Sequence, residues 1–142
     1  MKKIIISALV IILLAASGGY YYVFVYSKNK KFDIENASSI AIDATTLVKS
    51  FQVNEANANK LYLDKVLLIK GTVGSIAVTQ AGENTITLSS EDPFSSVLAT
   101  LDSTESKTKK IGDTLFIKGF CKGFLSDVVI TNAIIKQTLK YL

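Results

Sequence analysis

Residues 4–26 (IIISALVIILLAASGGYYYVFVY) carry no charge, and no other feature restricts the chain so strongly. At about 1.5 Å per residue, a helix through that run would span about 35 Å, against about 30 Å of bilayer hydrocarbon. The competing assignment is a secretory signal peptide, with Lys2 and Lys3 as its basic start and Ala15, Ala16 and Ser17 resembling a cleavage site. Yet the apolar run continues past that point, and Tyr20, Tyr21, Tyr22 and Tyr26 fit the interfacial belt at a helix end. The run therefore predicts an uncleaved transmembrane anchor over 4–26, behind a basic tail at 1–3. No Cys follows the small residues, which argues against lipid modification there.

The anchor also explains the charge. The chain has a sequence pI of about 9.1 and a mean hydropathy of +0.35. Five of its sixteen lysines (Lys2, Lys3, Lys28, Lys30 and Lys31) flank the run, leaving eleven lysines against all twelve carboxylates from residue 32 onward, a net of −1. Those flanks suit anionic lipid headgroups, which makes the bilayer the expected first partner. A basic N-terminus followed directly by the first apolar run is a signal-anchor pattern, so a single-pass protein with its C-terminal domain on the periplasmic side is expected.

Residues 27–36 (SKNKKFDIEN) form a polar juxtamembrane linker, and a domain over 37–142 follows. Ser38 or Ser39 is expected to cap a helix whose stripe is Ile40, Ala44, Leu47, Val48 and Phe51. Asn54 then caps a short helix over 55–61, with Glu55 in its first turn. From residue 65 the period becomes that of strands: 66–79, 85–90, 95–101, 113–125 and 128–136. Glycines inside the first and fourth mark bulges or bends. Five strands, with long bent first and fourth members and one or two preceding helices, predict a mostly β domain, the five-stranded Greek-key barrel of the OB-fold.

Two blocks carry a family resemblance. The first is Asn54-Glu55-Ala56, Ala58-Asn59-Lys60 and Tyr62, leading into Lys65 and Gly71-Thr72-Val73. The second, more specific, is Gly112-Asp113 followed by the run from Ile117-Lys118-Gly119 through Cys121 and Gly123 to Asp127-Val128. The chain resembles the tRNA-anticodon-like OB-fold family of short bacterial proteins with an N-terminal membrane segment, over nearly all of 38–136. The resemblance implies the fold; it brings no catalytic residue set and no ligand.

Catalytic chemistry has little to work with. The chain has no His and one Cys, which removes Ser-His-Asp and Cys-His arrangements and the common zinc sites together. Glu91-Asp92 before Pro93 reads as a solvated turn. No phosphate-cradling loop occurs, and no cofactor or metal is expected. Cys121, without a partner thiol, reads as a small buried residue.

The most pointed surface feature is the strand over 113–125. Strict alternation places Phe116, Lys118, Phe120, Lys122 and Phe124 on one face, with Leu115, Ile117, Gly119, Cys121, Gly123 and Leu125 on the other. Rings and cations interleaved on an OB-fold sheet are the chemistry of base stacking with phosphate neutralisation. Against that stand the near-neutral domain, the expected external location, and the alternative that these rings pack under the preceding helix. A bulge at Gly119 or Gly123 would send some of them to the other side. The expectation is a membrane-anchored, non-enzymatic binding module for an envelope protein, glycan or small ligand, with single-stranded nucleic acid on the Phe116 to Phe124 face as the alternative.

Overall fold

The computed structural model describes residues 2–22, 33–102 and 109–136. It divides into two compact units, Met1–Asp33 and Ile34–Leu142. Among the described residues, the first contains the helix α1 (Lys2–Tyr21), of 20 residues.

Among the described residues, no helix is long and apolar enough to cross a membrane. The expected single-pass anchor over 4–26, and the periplasmic placement of the domain that depended on it, are corrected accordingly. The physical reason lies in how the apolar character is distributed along α1. Two lysines occupy its start, and its unbroken small and aliphatic stretch, residues 4–16 with a single Ser7, spans only about 20 Å. Ser17, Gly18, Gly19, Tyr20 and Tyr21 complete the helix, and glycine and tyrosine tips add little to a hydrocarbon span. Residues 23–26, and the flanking Lys28, Lys30 and Lys31, lie outside the described residues. The bilayer as a partner loses the span on which it was argued.

The second unit contains β1 (Ile40–Asp43), α2 (Ala44–Val53), α3 (Glu55–Tyr62), β2 (Val66–Val78), β3 (Asn84–Ser89), β4 (Val97–Leu101), β5 (Thr114–Phe124) and β6 (Val128–Lys136). The sheet runs β1-β2-β3-β4-β6-β5, and a further β2–β5 pairing closes β2 to β6 into a five-stranded barrel. This is the OB-like arrangement. The long strand β2 serves two partners on one edge. Its second half, from Thr72, pairs antiparallel with β3, while residues 67–70 pair in parallel with β1.

That edge explains where the sequence reading of the first helix fails. Ile40 was expected on a helical stripe, but 40–43 is strand, and α2 begins at Ala44 after Asp43 rather than at a serine cap. Without β1, the amides and carbonyls of 67–70 would lie open beyond the end of β3, a cost that edge pairing removes. Ala44, Leu47, Val48 and Phe51 keep their stripe and are buried. Asn54 caps α3 as expected, its side chain accepting from the Asn57 amide at 3.0 Å.

The barrel interior is filled by alternate residues of every strand, including Leu67, Ile69, Ile86, Leu88, Ile117 and Ile130, all fully buried with Leu47 and Phe51 of α2. Bulges bend β2 at Gly74 and β5 beside Gly123, whereas the one opposite Gly119 lies in β6, at Asn132 and Ala133. The β2–β3 register shifts between Val73 and Ser75, around Gly74. In β5–β6 it shifts between Lys118 and Phe120 and again between Cys121 and Gly123. Gly123 has φ +107, where a side chain would be strained. Gly119 is required by space: an added Cβ would lie 2.6 Å from Ile130 Cγ2.

Candidate functional site

Strand β5 shows the alternation expected of it. Leu115, Ile117, Gly119, Cys121 and Gly123 are buried, whereas Phe116 and Phe120 are half-buried and Lys122 is exposed. Cross-strand neighbours extend the outer face. Lys70 of β2 lies opposite Phe116, which in turn lies opposite Lys136 of β6. One ring is therefore flanked by a lysine on each neighbouring strand. The next outward row is Leu68, Lys118 and Ile134.

The five residues singled out in the sequence do not share one environment. Phe124 lies beyond the bulge at Cys121/Gly123 and stacks on Phe51 of α2, with centroids 5.8 Å apart and planes 18° apart. It joins the packing around the core. Lys122 pairs with Asp64 at 2.8 Å, both side chains exposed. Lys118 is 7% exposed; its ammonium donates to the carbonyl oxygens of Glu35, at 3.1 Å, and of Ala37. Phe116 and Phe120 remain together with part of their surface open.

Glu35 and Ala37 belong to a segment, 34–39, that leads into β1 and crosses the outer face of β5. A second tie fixes it: Lys136 Nζ meets Glu35 Oε1 at 3.1 Å. Ile34, 6% exposed, is buried outside the cluster that fills the barrel. Sequence reasoning missed Lys70, Lys136 and Glu35. A signal for Lys136 existed, because counting back from Phe124 opposite Val128 as a plain hairpin places Phe116 opposite Lys136. The two bulges in that ladder cancel, so the count holds. Nothing local marks Glu35, whose partners are more than eighty residues away.

The sheet surface that OB-folds commonly offer to ligands is different in character. It is the outer face of β3 and β4, flanked by the loops 79–83 and 125–127. Here it is built from small and hydroxylated side chains. Thr85 lies opposite Thr100 and Ala77, and Thr87 opposite Leu98 and Ser75. Thr85 is nearly buried and donates to the Ala77 carbonyl at 3.2 Å. This patch has neither ring nor lysine. The loop 125–127 is fastened beside it by Asp127, which accepts from the Ser96 amide at 2.7 Å and from the Ser96 hydroxyl.

Two surface cavities border these elements. A groove of about 610 Å³ runs between α2 and α3 toward Glu91. Its polar groups are partly engaged already, Asn54 in the α3 cap and Ser50 with the Thr46 carbonyl. A smaller hollow of about 240 Å³ is lined by Asp43, Lys70, Thr72, Ser89 and Thr114, and through Lys70 it adjoins Phe116. Asp92 forms the expected turn, accepting from the Phe94 amide at 2.7 Å and from Gln52. Those two donors hold its carboxyl below the usual value, the backbone amide having the larger effect. Burial pushes the Cys121 thiol up. Among the described residues, no group of three or more His, Cys, Asp or Glu is placed to hold a metal ion.

The model of the tRNA_anti-like family matches residues 1–135. The chain belongs to that family. The match to tRNA_anti-like proteins includes the block around Lys118, Cys121 and Asp127 and agrees with the closed barrel. A solved structure is also similar: a lipoprotein of Klebsiella pneumoniae subsp. pneumoniae MGH 78578, crystallised as a candidate nucleic-acid-binding protein. It is 17% identical with a TM-score of 0.59, and the likeness covers 76% of this chain and all of that one. At that identity the likeness is one of fold. No curated protein matches the chain.

Proposed function

We propose that this tRNA_anti-like domain is a non-enzymatic binding module for single-stranded nucleic acid, held on the outer face of β2, β5 and β6. The row Lys70, Phe116, Lys136 carries the reading: a half-open ring with a cation on either side offers stacking and phosphate neutralisation at one place. Phe120 adds a second ring on the same strand, and the hollow beside Lys70 offers room next to the first. The pairs Lys122–Asp64 and Lys136–Glu35 are exposed enough for phosphate oxygens to exchange with the carboxylates. The family and the candidate role of the Klebsiella lipoprotein support the same reading. The external location that argued against nucleic acid rested on the anchor, which has been corrected.

The hydroxyl face of β3 and β4 favours a second reading, a neutral polar ligand such as an oligosaccharide, which OB-folds also bind. One titration separates the two. The full chain is mixed with labelled oligothymidylate or oligouridylate at two salt concentrations. The first reading expects binding that weakens with salt and that Phe116→Ala reduces by about 1–3 kcal/mol, the value of one stacked base. Binding insensitive to Phe116→Ala but reduced by Thr87→Val would move the site to the hydroxyl face. A flat titration would sink the nucleic-acid reading.

A further inference from the structure

We infer that residues 34–39 are an autoinhibitory strap, occupying in cis the cations that a bound single strand would use. The inference rests on the nucleic-acid reading of the β5 face and adds its regulation.

Three observations define the strap. The Lys118 ammonium, on a side chain nine-tenths buried, is engaged by two strap carbonyls, those of Glu35 and Ala37. The Glu35 carboxylate takes Lys136, the lysine flanking Phe116. Ile34, next to Glu35 in the chain, is buried although it belongs to no part of the barrel interior. Lys118 and Lys136 therefore each bind oxygen acceptors supplied by the strap, and phosphate oxygens form the same kinds of bond to lysine. Two carbonyls and one carboxylate stand where the backbone of a strand would lie.

The attachment is graded. The carboxylate arm is open to water, Glu35 having 71% of its side-chain surface exposed, so it exchanges readily. The Lys118 arm is sheltered and holds. An incoming strand can take Lys136 first, but it reaches Lys118 only when the strap lifts. The strap is also the stretch of the domain that directly follows the first unit of the chain, Met1–Asp33.

The test uses the full chain and labelled oligothymidylate. Glu35→Gln combined with Ile34→Ser removes the carboxylate and the buried anchor while leaving every residue of the β5 face intact. Release of the strap is read from faster amide exchange over 34–39, and integrity of the barrel from continued protection of the Cys121 thiol. Glu35→Gln alone, at an exposed side chain, is the variant of least risk to folding. A strap closed nine-tenths of the time lowers apparent affinity about tenfold, so the released variant is expected to bind at least about tenfold more tightly than the parent. Adding Phe116→Ala should weaken binding by the parent and released chains alike. Equal affinity of parent and released chains overturns the strap while leaving the nucleic-acid reading intact. Absence of binding by both, with the strap shown to be released, overturns the two together.

Discussion

Replacing Gly119 by alanine tests the closest approach in the barrel. The added Cβ would lie 2.6 Å from Ile130 Cγ2, 3.0 Å from the Thr131 carbonyl oxygen and 3.1 Å from Ala133 Cα. Carbon atoms prefer about 3.5–4.0 Å, so the first contact overlaps by about 1 Å. Ile130 is fully buried and has nowhere to turn, and the other two contacts are backbone in β6. Forcing one methyl into such a site costs about 1–3 kcal/mol, against which the stiffer unfolded chain returns about 0.4–1 kcal/mol. The net expectation is a loss of about 1–2 kcal/mol, measured as a lower urea midpoint at unchanged slope. Gly74→Ala provides the internal control. Its new Cβ would also collide, but with the hydroxyl of Ser89, an exposed side chain that can rotate away. The reasoning is refuted if Gly74→Ala destabilises as much as Gly119→Ala, because the distinction between yielding and unyielding neighbours would then be empty.

Four further outcomes follow from other parts of the domain. Phe51→Ala, at a fully buried ring, should cost about 3–5 kcal/mol in urea melts. A double-mutant cycle with Phe124→Ala should show about 0.5–1.5 kcal/mol of coupling through their stack. The Asp92 carboxyl lies below its usual value of 3.8, so its contribution to stability is complete above that value and is lost as pH falls through the lowered one. Asp92→Asn should therefore be less stable than the parent at about pH 7, and the gap should narrow as the pH falls through the lowered value, the reverse trend counting against the assignment. Cys121 is buried with its thiol pushed up, so a thiol reagent at about pH 8 should modify it only as fast as the protein unfolds; immediate labelling of the folded chain would contradict the structure.

Much of the barrel was legible in the chain. Periodicity located all five barrel strands to within two residues, and interior glycines marked where β2 and β5 bend. Both signals are local, arising from two-residue alternation and from the absence of a Cβ. The same reasoning misplaced 40–43, because whether Ile-Ala-Ile-Asp becomes strand or helix depends on an edge of β2 that appears only once β3 is in place. It also read the uncharged run 4–26 as a membrane span, whereas no described helix is long and apolar enough to cross one.

The candidate site divides along the same line. The sequence alone determined that Phe116, Lys118 and Phe120 point to one side of a strand and that Cys121 points to the other, since alternation depends on nothing outside the strand. It also determined that imidazole chemistry is absent. Only the tertiary structure decided what each outward side chain meets. It turned Phe124 onto Phe51 through a bulge, brought Lys70 to the side of Phe116 away from Lys136, and laid 34–39 over Lys118. Those partners lie far apart in the chain, and contacts at that range are set by closure of the barrel, which no local pattern encodes.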